Sequence, residues 1–294
     1  MGNAFARTQQ NAASAMHGGF GPPLSDRNFE RLSEFVHDYC GIRITSKKRT
    51  MVDGRLRRRM RALEMDDIND YCAFLFEGDA DAEEEVVNFI DAITTNKTDF
   101  FREPAHFVFL QSQILPLLAE TGRRRIKIWS AASSTGAEAY TIAMILDDFC
   151  LRNRGMDYSI LATDISTEVL DKGLRGRYPD TMLEPVPEEF RRRYVMVAND
   201  AKAREFRIVP HLRSKVAFFQ LNLMDRRYPF DLDYDLIFCR NILIYFDRPT
   251  QGEVLRRLCE HIRPGGYLFL GHSESIVGHN LPLETVANTI FQRN

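Results

Sequence analysis

Two short motifs, far apart in the chain, carry an arginine, a tyrosine and two side-chain amides that could do chemistry together. The first is Asn96-Lys97-Thr98-Asp99-Phe100-Phe101-Arg102-Glu103, and the second is Cys239-Arg240-Asn241-Ile242-Leu243-Ile244-Tyr245-Phe246. A planar guanidinium can grip a carboxylate through paired N–H donors, and a phenol can hydrogen-bond beside a reacting oxygen. Between the motifs lie Trp129-Ser130-Ala131-Ala132-Ser133-Ser134-Thr135-Gly136-Ala137-Glu138 and then Ala162-Thr163-Asp164. They read as a strand, a small-residue turn, a helix and a second strand ending in an acid. A doubly wound sheet holds an adenosine cofactor in this way. The turn has one glycine, so the G-x-G-x-x-G signature is missing and a nicotinamide dinucleotide is not the expected ligand.

Each residue also has a plainer reading. Asp164 can accept from both ribose hydroxyls or cap the helix that follows it. Glu138 can accept from a ligand amino group or complement a helix dipole. Asn222, with Leu223 beside it, can read an adenine edge or form a turn. Arg240 and Asn241 follow the apolar run Leu236-Ile237-Phe238-Cys239, at a carboxyl strand end where open sheets place their ligands. Taken alone, Tyr245 is a core aromatic and Arg102 a surface helix cap.

The elements that position these residues fall into two textures. Ser25 can cap a helix carrying Phe29, Leu32, Val36 and Tyr39 and ending at Gly41. A second amphipathic helix carries Val52, Leu56, Met60 and Leu63, surrounded by Lys47, Lys48, Arg49, Arg55, Arg57, Arg58, Arg59 and Arg61. From Glu64 to Asp91 there are acids and no Lys or Arg, with a further helix at Val86, Ile90 and Ile93. Residues 24–95 thus read as a small all-helical domain, after a disordered tail at 1–23, and 96–106 as a motif-bearing linker. From 107 to 294, a helix with Phe109, Leu110, Ile114 and Leu117 leads into alternating strands and helices. Strands are expected at 126–130, 159–163, 216–221, 236–239 and 267–270. Helices are expected at 137–152, 166–175 and 250–262, the last closed by Pro264-Gly265-Gly266. The fold class is α/β, a doubly wound, mainly parallel, Rossmann-like sheet. A terminal hairpin turns at Ala287-Asn288, and a small antiparallel β insertion lies at about 178–214.

Composition excludes several classes. With 44% hydrophobic and 27% charged residues the chain is an ordinary soluble globular protein, and a net charge of −2 argues against coating nucleic acid. Cys40, Cys72, Cys150, Cys239 and Cys259 form no C-x-x-C pair and read as reduced thiols of a cytoplasmic protein. No apolar run suits a membrane span, no signal pattern opens the chain, and no metal-ligand set is read.

Taken in order, Thr-Asn-Lys-Thr-Asp-Phe-Phe-Arg, Trp-Ser-Ala-Ala-Ser-Ser-Thr-Gly-Ala-Glu, Ala-Thr-Asp-Ile, Cys-Arg-Asn-Ile-Leu-Ile-Tyr-Phe and Gly-His-Ser-Glu resemble the chemotaxis receptor methyltransferase family. The resemblance runs from about residue 25 to the end. It implies an S-adenosylmethionine-dependent enzyme that releases S-adenosylhomocysteine and methylates glutamates on the cytoplasmic helices of chemoreceptors. Ligand-contacting positions would be Asn96, Thr98, Arg102, Glu138, Asp164, Asn222, Leu223, Arg240 and Asn241. Tyr245 would lie with Arg102 at the methyl-transfer site. The chain departs from the family in reading Gly136-Ala137-Glu138-Ala139-Tyr140 where Gly-Glu-Glu-Pro-Tyr is frequent, though the second acid is kept. Some members hold a receptor's terminal pentapeptide on the insertion through a glycine-containing loop. Here that loop, residues 198–203, has no glycine, so tail docking is not expected.

Methyl transfer to a glutamate is an in-line displacement by a carboxylate already ionised at pH 7, so no general base is needed. The glutamate-rich receptor helices suggest Arg55, Arg58 and Arg59 as substrate-binding residues, against the plainer reading of a solvated helix face. A nucleic-acid methyltransferase is disfavoured because Arg240-Asn241-Ile242-Leu243 replaces an Asn-Pro-Pro-Tyr-like motif. A non-catalytic cofactor sensor would not need Arg102 and Tyr245.

Overall fold

A computed structural model describes residues 21–78, 80–197 and 203–294, and the chain divides into two compact units. One unit takes the chain up to Asp38 and Ile44–Thr94; the other takes Tyr39–Arg43 and Thr95–Asn294. Most of the expected tail, and most of the loop at 198–203, lie outside the described residues.

The first unit is helical: α1 (Asp26–Cys40, whose last two residues count with the other unit), α2 (Arg49–Ala62), α3 (Ile68–Glu77) and α4 (Ala80–Ile93). The Asn28 N–H donates to Ser25 Oγ at 3.2 Å, the cap read from the sequence. Phe29, Leu32 and Val36 on α1, and Val52, Leu56 and Met60 on α2, are buried at helical spacing. Tyr39 and Leu63, expected on those faces, are partly exposed because one lies in the last turn and the other beyond the helix end. Val86 is half-buried, with Phe89, Ile90 and Ile93 filling the α4 seam. Sequence reading missed α3, whose Asp67 cap and buried Ile68, Tyr71, Cys72 and Leu75 sit inside the acidic run.

In the second unit the strands are β1 (Arg125–Ala131), β2 (Asp157–Asp164), β6 (Val216–Gln220), β7 (Tyr234–Cys239), β8 (Ile262–Leu270), β9 (Leu283–Ala287) and β10 (Ile290–Arg293). Their order is β6-β2-β1-β7-β8-β10-β9, parallel except that β10 runs antiparallel to both its neighbours. Alternate residues of one strand feed opposite faces. Ile126, Ile128, Leu236 and Phe238 join one core, and Trp129, Ala131, Ile237 and Cys239 the other. Both faces are therefore covered, as a parallel sheet requires. Order reverses where β1 lies between β2 and β7, which is the switch point at which open sheets bind ligands.

Helices α5 (Pro104–Phe109) and α6 (Leu115–Glu120) flank a π turn at Leu110–Ile114. The wider turn shifts the apolar stripe, so Leu117, expected to be buried, is 51% exposed. Helix α7 (Ala137–Arg152) follows β1, α8 (Thr167–Arg175) follows β2, and α11 (Arg248–His261) precedes β8. Pro264-Gly265-Gly266 does not stop α11 as expected. The helix ends at His261 and the three residues lie within β8, where the pairing to β7 shifts register between Tyr234 and Leu236. The terminal hairpin turns one residue later than expected, at Asn288 and Thr289, the latter with φ 54°.

The insertion is a three-stranded antiparallel sheet, β3 (Arg177–Pro179), β5 (Glu205–Ile208) and β4 (Val195–Val197), with β5 central. Between its strands come α9 (Glu188–Tyr194) and, after β5, α10 (Pro210–Arg213). Strand β3, only three residues long, gave no sequence signal.

Candidate active site

The segment 96–103 is held by its two phenylalanines. Phe100 is fully buried, 5.0 Å edge-on from Tyr178 and 5.7 Å from Phe206, both on the insertion. Phe101 stacks on Phe190 at 5.7 Å and packs against Phe107, and its N–H donates to Thr141 Oγ1 at 3.1 Å. Anchoring two adjacent rings forces Phe101 and Glu103 to left-handed φ values of 52° and 58°. Ala132 and Ser134 after β1, and Asn241 after β7, also have positive φ. Such residues cost roughly 1–3 kcal/mol each and tend to gather at functional sites.

At the end of β1, Gly136 has φ 83°, and a Cβ there would meet the Phe218 ring at 2.8 Å. The glycine thus answers to turn conformation and ring packing, besides keeping the turn small. Ser134 N–H donates to Asp164 Oδ2 at 2.8 Å and Ser166 N–H to Asp164 Oδ1 at 3.0 Å. Asp164 consequently braces the turn and begins the next helix turn with one backbone donor on each oxygen. Ser134 Oγ donates to the Asn96 carbonyl at 2.9 Å, which joins the first motif to the same turn. Ser133 Oγ is buried without a hydrogen-bond partner among the described residues, as is Arg240 Nε. Unmet polar capacity at the ends of β1 and β7 suits a polar ligand.

Arg240, 7% exposed, is held on three sides. Its Nη1 donates to Glu138 Oε2 at 3.0 Å, and its Nη2 to Glu103 Oε2 at 2.9 Å and to the Arg102 carbonyl at 2.6 Å. The Phe107 ring lies 5.4 Å from the guanidinium carbon. Glu138 Oε1 accepts from Ser130 Oγ at 2.7 Å. Asn241 Nδ2 donates to Glu103 Oε1 at 3.0 Å. Burial pushes the Glu103 carboxyl up, but hydrogen bonds from Asn241 and Arg240 and the Arg240 charge outweigh it and hold it down at about 2. Burial, then the Arg240 charge, holds the neighbouring His106 imidazole down at about 4. His106 Nε2 lies 2.9 Å from Thr289 Oγ1, while its Nδ1 is buried 3.6 Å from Glu103. Glu103, His106 and His272 present ligand atoms within 4.8 Å of one another. The Arg240 guanidinium already lies on the same Glu103 oxygen, so a metal there would have to compete with a fixed cation.

Glu274, of the Gly271-His272-Ser273-Glu274 motif, clasps the β7 loop from behind. Its carboxylate accepts from the N–H groups of Gly271 at 2.6 Å, Asn241 at 2.9 Å and Leu243 at 2.7 Å. Burial pushes this carboxyl up, and the backbone N–H groups oppose that. A side chain at Gly271 would meet the Asn241 amide at 2.5 Å.

Asn96, Arg102, Glu138, Asp164, Arg240 and Asn241 are thus joined through few intermediaries at the carboxyl edge of the sheet. Thr98 lies in the same anchored segment, half-buried. Asn222 follows β6, where the Leu221 N–H meets the Asp164 carbonyl at 2.9 Å. Its amide accepts from Met224 N–H at 3.0 Å and donates to the Tyr39 carbonyl at 2.5 Å, the turn-forming reading. Leu223 is 7% exposed and belongs to the core. Arg102 is half-buried and donates one N–H to the Lys97 carbonyl at 3.1 Å. Tyr245 is half-buried in a 3₁₀ turn, Leu243–Tyr245, and its carbonyl accepts from Arg43 N–H at 3.0 Å. Sequence reading assigned no role to Glu103, His106 or Glu274, although Glu103 and Glu274 stand in quoted motifs.

The three arginines expected to bind substrate differ. Arg55 donates to the carbonyls of Ile93 and Thr94, and Arg59 makes a two-point pair with Glu85 at 2.9 and 2.6 Å. Tyr71 completes that carboxylate at 2.7 Å. Arg58 is exposed. The charge reversal along the sequence is partly an internal match: Glu85 of the acid-rich α4 takes up the Arg59 guanidinium of α2, whereas Arg55 meets backbone carbonyls at the end of α4.

Comparison with known proteins bears on both units. A family model described as the SAM-binding domain of CheR methyltransferase matches residues 96–291, and one described as its all-alpha domain matches residues 27–94. The chain is 36% identical to the chemotaxis protein methyltransferase of Borreliella burgdorferi, covering 92% of this chain and 95% of that one. It is 40% identical to the proteins of that name from Salmonella typhimurium and Escherichia coli, covering 86% of this chain and 85% of each.

Proposed function

Because the chain belongs to the CheR methyltransferase family, we propose that it forms glutamyl methyl esters on the cytoplasmic helices of chemoreceptors, within the cytoplasm. It is a methyltransferase that uses S-adenosyl-L-methionine and leaves S-adenosyl-L-homocysteine. The observation that carries the reading is the joined set of polar groups at the switch point: an acid ending β2, an acid opening α7 and a held arginine–asparagine pair ending β7.

When bound, the cofactor supplies an electrophilic sulfonium methyl group. Asp164 is the residue for the ribose, with Glu138, Asn222 and Leu223 around the nucleoside and Asn96, Thr98, Arg240 and Asn241 along the rim. Arg102 spends one donor on Lys97 and keeps the rest of its fork for a carboxylate. A glutamate nucleophile is ionised at neutral pH, so the protein's task is orientation and exclusion of water. Tyr245 shapes the pocket beside the reacting oxygen. Among the described residues no helix is long and apolar enough to cross a membrane.

Cofactor carrying a tritiated methyl group, incubated with a receptor cytoplasmic fragment, should label it, and base should release the label as methanol. Base-stable label, or none, overturns the ester assignment. Arg102→Ala should lower single-turnover rates more than Tyr245→Phe, with product affinity nearly unchanged in the latter. Wild-type rates in both would mean that methyl transfer occurs elsewhere.

A further inference from the structure

The site as described leaves Glu103 without a role, although its carboxylate accepts three hydrogen bonds within it. One oxygen accepts from Arg240, and the other from Asn241 and, at 3.4 Å, from the His272 N–H. Its side chain is 11% exposed, and its backbone is left-handed at φ 58°. The Arg240 nitrogen that meets Glu103 also meets the Arg102 carbonyl. Removing the carboxylate would therefore loosen both the rim pair and the backbone that carries Arg102. Two nearby features keep this arrangement in one state. Phe107 lies against the guanidinium, and the buried His106 imidazole, neutral at working pH, does not draw Glu103 away as a cation would.

We propose that Glu103 is a positioning residue for methyl transfer, its carboxylate locking Arg240, Asn241 and the Arg102 backbone into one unit. The inference rests on the proposed cofactor role of Arg240 and Asn241. A glutamine at 103 keeps the shape but sets an amide nitrogen against a donor on one side. An aspartate keeps the charge on an arm one methylene shorter. Loss of a charged hydrogen bond of this kind should weaken S-adenosylhomocysteine binding about tenfold in Glu103→Gln, and lower kcat at saturating cofactor by about tenfold as well. Glu103→Asp should recover part of both.

The experiment measures product affinity by calorimetry, kcat and KM for cofactor, and melting temperature, on the full chain. A purely structural Glu103 would lower the melting temperature while leaving affinity and kcat per folded molecule at wild-type values. That result overturns the proposal, as does Glu103→Asp behaving no better than Glu103→Gln. If Glu103→Gln does not fold, Glu103→Asp carries the test alone, and wild-type affinity and kcat in it overturn the proposal. A wild-type protein that binds no S-adenosylhomocysteine would instead overturn the assigned function, so the two failures are distinct.

Discussion

Two carboxylates, one fully and one largely buried, sit at opposite ends of the same sheet, each served by arginine, and only one belongs to the site. At the amino end, Asp235 is fully buried; it accepts from Arg123 at 2.6 Å, Arg263 at 2.5 Å and the Lys127 N–H at 2.9 Å. At the carboxyl end, Glu103 serves Arg240 and Asn241. Asp235 stands on a regular strand, and its charge stitches β1, β7 and β8. Glu103 stands on a left-handed residue. Phe101, Glu103, Ala132, Ser134, Asn241 and Thr289 adopt positive φ near its end of the sheet, and among described non-glycine residues only Glu64 and Arg204 do so elsewhere. A buried ion pair is therefore no mark of function. Backbone strain collected around one is the better sign, because strain persists only where the surroundings enforce it.

The largest effect expected is on the amino-end clamp. Asp235→Ala leaves two guanidiniums and a backbone N–H without their acceptor and should cost about 3 kcal/mol in denaturant unfolding. S-adenosylhomocysteine affinity of the folded fraction should stay as in wild type. A loss of affinity with no loss of stability would break the distinction between the two ends. Acid should act at the carboxyl end. The folded chain holds His106 down at about 4, whereas an unfolded histidine titrates near pH 6.5. The unfolded chain then takes up the proton first, and stability is lost as pH falls from about 6.5 towards 4, by up to roughly 3 kcal/mol. Glu103, held down at about 2, adds a further loss at lower pH, from about 4.5 downward. His106→Gln should flatten the upper window, and an already flat wild-type profile would refute the assignment.

A smaller effect is expected at the end of β2. Asp164→Ala should weaken S-adenosylhomocysteine binding at least about tenfold by removing a charged acceptor, and unchanged calorimetric affinity in a folded variant would sink the ribose assignment. The smallest should come from Arg58→Ala. Receptor methylation should slow by about threefold or less at low ionic strength and converge on wild type as salt rises. Equal rates at low salt would make that face merely solvated. Arg55 and Arg59 are less suited to the test, since their loss would disturb the helical unit's own bonds.

The central strands were legible because a sheet covered on both sides needs unbroken apolar runs, and Leu236–Cys239 is one. Topology then placed Asp164, Arg240 and Asn241 at one edge, since each directly follows or ends such a run. Short range could not supply the partners of Glu103, which lie more than a hundred positions away in the chain. The same holds for Glu274, whose motif was visible but whose clasp on Asn241 and Leu243 was not. Local rules also failed where geometry departs from the ideal period: the π turn displaced Leu117, and Pro264-Gly265-Gly266 entered a shifted strand instead of ending a helix. Helix α3 was obscured by the acids around it.

One short stretch, Tyr39–Arg43, bears on how such a chain can be rearranged by recombination. It belongs to the sheet unit although the chain on either side of it belongs to the helical one. Gly41 has φ 74°, and a side chain there would meet Met224 and Phe246, while Tyr39 and Arg43 bond to Asn222 and to the Tyr245 carbonyl. A gene fragment starting at Thr95 would encode every strand of the described residues yet omit the piece that braces two loops of the site. Exchanging the helical unit for a foreign one would remove the same piece unless residues 39–43 were grafted back. The seam at which the gene could be cut and the seam along which the protein folds are different places.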